Sequence, residues 1–160
     1  MAQVIVDERA VVVKPWWVKV RIVFIGALLG LTWWIVAVLL RQYVIEPLAC
    51  RDLATSNACV DSFGVAGAIA TILVAILAAF VLVRTLQPRP IIIAVSVAAL
   101  LWILGSYVAG LAWYEALLWA VLLYAASYSL FALVARIVWL PAAIITAVVI
   151  VVGIRLLLAL

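Results

Sequence analysis

Histidine is absent from this 160-residue chain. That removes the commonest general base and the commonest transition-metal ligand together. There are two cysteines, too few for a Cys-only structural zinc site. Charge is scarce: 10% of residues are Asp, Glu, Lys or Arg, against about 25% in an ordinary soluble domain. So little polar surface cannot wrap a core, which excludes a water-soluble globule, a disordered chain and a coiled coil. Also lacking are a phosphate-binding glycine loop, a Ser-His-Asp set and a pair of carboxylates within an apolar run. A proton pump would need such acids inside the bilayer.

What is present is apolar sequence, 73% of the chain, gathered in long runs. About 20 apolar residues cross about 30 Å of hydrocarbon. Runs at 20–44, 63–83, 91–110, 113–135 and 140–160 meet that length. They are continuous rather than alternating, so the reading is helical and not a barrel. The expected fold is an all-α polytopic membrane protein, a bundle of five transmembrane helices over 20–160 behind a tail at 1–19. Local signals agree. Gln87-Pro88-Arg89-Pro90 ends one helix, and Pro141 falls in the first turn of another. Asp61 and Ser62 are placed to cap the second span, and Glu115 suits the first turn of the fourth.

Five crossings sort the charges by side. With the N-terminus in the cytoplasm, that side holds seven basic and two acidic residues, net +5. The other side holds three basic and four acidic residues, net −1. The positive-inside rule therefore predicts a cytoplasmic N-terminus and an external C-terminus. The overall +4 becomes a signal of topology, and no nucleic-acid partner is expected.

Cys50 and Cys59 fall together in the loop 45–62, on the expected outer side, where disulfides persist. A bridge closing this loop would contribute roughly 2–3 kcal/mol in the loop-entropy model. Redox activity is disfavoured, because the spacing is not Cys-x-x-Cys and no neighbour lowers a thiol pKa. Pro47-Leu48-Ala49-Cys50 distantly resembles a lipoprotein cleavage box, but proline stands where an aliphatic residue belongs and the apolar stretch is long for a signal. A weak repeat at an offset of 51 residues aligns Phe80 to Val83 with Phe131 to Val134, and Pro90 with Pro141. It points to two helical hairpins in the same orientation.

Few residues are candidates for chemistry. Arg155 is the odd ionisable residue, deep in an apolar run near the C-terminus, and five crossings bring it to the same membrane face as Glu115. An ion pair between Glu115 and Arg155 is expected, with Glu46 as the alternative partner and solitary snorkelling as the bland reading. Trp16, Trp17, Trp113 and Trp139 read as an interfacial belt. Trp33, Trp34 and Trp102 fall near the midplane, where they serve helix packing or line a pocket for a lipid tail, quinone or isoprenoid. Tyr124, Ser127 and Tyr128 make a polar stripe that should face other helices, since lipid would leave the hydroxyls unsatisfied. Gly26-x-x-x-Gly30, Gly64 with Ala68, and Ser106 with Gly110 are small-residue steps for close helix approach. In the tail, Val4 to Val6 and Val11 to Val13 flank a four-residue turn, a two-strand pattern marginal by itself and available to a soluble partner.

The expected function is non-catalytic: a scaffold, an accessory subunit or a membrane-assembly factor in a cell membrane, with a bacterial cytoplasmic membrane as the expected location. It would have membrane lipids and other subunits or its own copies as partners, and neither cofactor nor metal. The alternative is a small oligomeric transporter or channel for an apolar or weakly polar solute. A lipid-acting enzyme comes third.

Overall fold

The computed structural model describes residues 15–49, 61–84, 89–137 and 139–159, and all of its regular structure is helical. The tail pattern at 4–13 and the cysteines Cys50 and Cys59 lie outside the described residues. In chain order the elements are α1 (Pro15–Leu40), a π-helical segment (Arg41–Ile45), α2 (Glu46–Ala49), α3 (Ser62–Arg84), α4 (Pro90–Leu101), α5 (Leu104–Val108), α6 (Trp113–Val134) and α7 (Leu140–Ala159).

Four helices among these are long and apolar enough to cross a membrane: Val20–Leu48, Ser62–Arg84, Trp113–Val134 and Leu140–Leu157. α1 begins at Pro15, ahead of the crossing at Val20, with proline in the first turn, where a missing N–H costs nothing. The run 91–110, expected as the third crossing, is divided in two. It is not one helix: α4 ends at Leu101, and Ile103 leaves helical geometry at φ −98°, ψ 9° before α5 begins. Neither piece alone spans the hydrocarbon; α4 is about 18 Å long at 1.5 Å per residue.

Both prolines open helices, Pro90 at the start of α4 and Pro141 in the first turn of α7. Arg89 precedes Pro90 with φ 58°, ψ 57°, in the left-handed region. Proline disfavours the right-handed helical region for its predecessor, and the Arg89 guanidinium donates to the Ile137 carbonyl at 2.9 Å. That bond ties the α3–α4 link to the α6–α7 link, at the end of the bundle that carries Arg84, Arg89 and Arg136.

The bundle centres on α1, which packs against α6 and α3. The Gly26–Gly30 step does what its spacing predicts. A Cβ on Gly26 would stand 2.9 Å from the Ala125 Cα, and one on Gly30 would stand 2.7 Å from the Ala120 carbonyl oxygen. The backbones of α1 and α6 therefore touch. A second close approach joins α3 to α5, where a Cβ on Gly67 would meet the Gly105 Cα at 2.8 Å. The expected Ser106–Gly110 step is not a packing face: nothing lies within 4 Å of a Cβ on Gly110, and Ser106 turns its hydroxyl to Asp61.

Candidate functional site

The inner core is built around Trp33, wholly buried between α1, α3 and α6. Its indole N–H donates to the Gly67 carbonyl at 3.1 Å and to the Thr71 hydroxyl at 2.9 Å. Thr71 in turn donates to the Gly67 carbonyl at 2.8 Å. The bare backbone of Gly67 lets the indole reach that carbonyl. Phe63 meets the indole edge-on at 6.4 Å, and Tyr124 lies 6.1 Å away on the opposite helix. Tyr128 continues the row, 6.2 Å from Tyr124. These distances are within the favourable range for aromatic pairs. Tyr124, Ser127 and Tyr128 are buried, as a polar stripe on a membrane helix should be. The Tyr124 hydroxyl is buried without a hydrogen-bond partner, although Thr71 is close by.

The three midplane indoles do not converge. Trp33 fills the core, Trp34 is half-buried, and Trp102 is 42% exposed at the break between α4 and α5. Consecutive residues on a helix point about 100° apart, so Trp33 and Trp34 could not have shared one pocket. Trp17, Trp113 and Trp139 are exposed, as an interfacial belt would be. Trp119, which carried no expectation from residue order, lines a wide apolar cavity.

That cavity holds about 650 Å³ between the broken crossing, α6 and α7. Leu101, Leu104, Tyr107, Trp119, Ser127 and Ile154 are among its walls, and its lining is almost entirely apolar. Its size and chemistry suit an acyl or isoprenoid chain.

Polar groups gather at the opposite end from Arg136. Asp61 caps α3: its carboxylate accepts from the Gly64 N–H at 3.2 Å and its carbonyl from the Val65 N–H at 3.1 Å. The same carboxylate accepts from the Ser106 hydroxyl at 3.2 Å, which fastens α5 to α3. Gly64 leaves room for it, since any Cβ there would strike the carboxylate. Arg41 is bonded to Glu46 at 2.8 Å across the π segment and sits 5.8 Å over the Phe63 ring. This pair is nearly half exposed on both sides, so it contributes little stability.

The expected Glu115–Arg155 pair is not formed. Glu46 is taken by Arg41, and Arg155 donates instead to the Ala99 carbonyl at 2.7 Å. The break at Trp102–Ile103 is the reason. Carbonyls in the last turn of α4 lose their helical donors there, and inside hydrocarbon each needs another. A cation at a helix C-terminus also meets the favourable end of its dipole. The remaining Arg155 Nε is buried and has no acceptor.

Among the described residues, no group of three or more His, Cys, Asp or Glu is placed to hold a metal ion. Comparison of the chain with protein-family models, with curated proteins and with solved structures finds no match.

Proposed function

We propose that this chain is a non-catalytic integral membrane protein, a scaffold or accessory subunit that holds other membrane components. One observation carries the reading. Several polar groups of the membrane-spanning helices close on their own neighbours: Trp33 on Gly67 and Thr71, Thr32 on Leu28, Ser129 on Ala125. Of the buried Tyr124, Ser127 and Tyr128 stripe only Ser127 lines the apolar cavity, so the stripe does not assemble the polar path that translocation would require. Meanwhile α7 stands largely uncovered, with 11% of its apolar window buried. A crossing so poorly packed within its own chain is suited to packing against another.

The proposed threading has five crossings, with α4 and α5 together as the third, a cytoplasmic N-terminus and a Cys50–Cys59 bridge in the outer loop. The charge asymmetry supports this direction. Membrane-impermeant maleimide on intact cells should label both cysteines only after an impermeant reductant. Labelling confined to permeabilised cells would reverse the threading.

A second reading rests on the cavity of about 650 Å³, which suits a lipid or isoprenoid chain. Purification from native membranes in a mild detergent, with the bound proteins and lipids identified, separates the two. A membrane protein retained in fixed ratio supports the scaffold. A single lipid species in fixed ratio, without protein, supports the second reading. A bare monomer overturns both.

A further inference from the structure

Arg155 is a cation on a helix long and apolar enough to cross a membrane, and among the described residues no carboxylate pairs with it. Its guanidinium reaches the Ala99 carbonyl, and Ala99 lies about 14 Å along α4 from Pro90, near the middle of a hydrocarbon layer of about 30 Å. Arg89 and Arg84 mark the polar boundary from which that depth is measured. The six acidic residues are Asp7, Glu8, Glu46, Asp52, Asp61 and Glu115. Glu46 is bonded to Arg41, Asp61 caps α3, and Glu115 lies in the first turn of α6. No apolar run carries a carboxylate at mid-depth, so a second copy of this chain cannot supply the counter-charge.

The surface around Arg155 is a groove. Its guanidinium shares a cavity of about 380 Å³ with Ala99, Trp102 and Val151. Ala99 and Trp102 also line the adjoining cavity of about 450 Å³ between α3 and α4. That second cavity is floored by Ala75 and Ala79 on one helix and Ala94 and Ala98 on the other, each pair four residues apart. Small residues at this spacing admit the close approach of another helix. A lipid headgroup stays at the interface, whereas a side chain on a helix can be presented at any depth.

We propose that the α3–α4 groove seats a transmembrane helix of a different protein, and that an Asp or Glu in the middle of that helix pairs with Arg155. Arg155 then has two tasks, holding the broken end of α4 with Nη2 and the partner's carboxylate with Nη1, while its Nε stays buried. The assignment rests on the scaffold reading and names the chemistry of the subunit it holds.

The test uses the full chain in phosphatidylcholine vesicles at neutral pH, with donor and acceptor dyes. The probe is a synthetic Leu/Ala helix of about 20 residues carrying one central Glu, compared with the same helix carrying Leu. The Glu helix should associate about tenfold more tightly with the wild type. Arg155→Gln, which keeps a donor for Ala99 but removes the charge, should abolish the preference, and Arg155→Lys should retain most of it. Unchanged helix content by circular dichroism shows that Arg155→Gln is folded. Equal association of the two helices with the wild type overturns the proposal. So does a wild-type preference for phosphatidylglycerol that requires Arg155 when the Glu helix gains nothing, since that places a lipid phosphate there. Purification of Arg155→Gln from native membranes separates this site from the broader reading. A subunit retained equally by wild type and variant keeps the scaffold and overturns the site. Glu-helix preference without any native subunit keeps the site and overturns the scaffold.

Discussion

The α1–α3–α6 side of the bundle and the α4–α5–α7 side are made from the same few residue types, yet they pack differently. On the first, Gly26 and Gly30 bring α1 against the α6 backbone, and Trp33 bonds across to α3. On the second, Gly110 and Gly153 face open space, α7 is mostly uncovered, and a cavity of about 650 Å³ lies between the helices. Lipid tails are as apolar as leucine, so apolar surface alone does not draw helices together in a membrane. Close backbone contact and polar bonds must do it. The first side has both. The second is fastened at a few points: the Gly105 backbone against Gly67, and the bonds of Ser106 to Asp61, Arg89 to Ile137 and Arg155 to Ala99.

Substitutions can break this contrast, in descending order of effect. Trp33→Ala should be the most destructive, costing about 3–5 kcal/mol through an emptied core site. Reversible unfolding in mixed micelles would measure it, and a loss below 1 kcal/mol would mean that the aromatic row is not the keystone of the tight side. Gly30→Val should follow at about 1–3 kcal/mol, because the added carbons collide with the α6 backbone, which cannot rotate away. Asp61→Ala should cost about 1 kcal/mol as a lost helix cap. It should also raise the mobility of a spin label on Tyr107, since α5 loses its tie to α3. Gly153→Val, the same chemical change as at Gly30, should stay within about 0.5 kcal/mol of wild type, because a Cβ there meets no neighbour within 4 Å. Equal losses at Gly30 and Gly153 would erase the distinction between the two sides.

Much of this arrangement was legible in residue order. Four of the five apolar runs are single long helices, Asp61 caps the second, and the Gly26–Gly30 step is a true backbone contact. The Tyr124, Ser127 and Tyr128 stripe is buried because its hydroxyls are poorly suited to lipid. The break at Trp102–Ile103 was not legible. No proline marks it, and Gly105, two residues on, has its meaning only against Gly67 of another helix. Because that break was hidden, so was the partner of Arg155: the carbonyl it meets needs a donor only when α4 ends there. Thr71 was overlooked for a similar reason, since a lone threonine in an apolar run gives no sign of the indole it will face.

α1 and α6 are locked together by backbone contact, whereas α7 is held loosely. Spin-label distances test this most directly. In lipid nanodiscs, with Cys50 and Cys59 replaced by serine, labels would be placed at the exposed positions Phe24, Leu122 and Val149. The account predicts a narrow distance distribution between positions 24 and 122, on α1 and α6, and a broad one between 122 and 149, on α6 and α7. A distribution between 122 and 149 as narrow as that between 24 and 122 would contradict it.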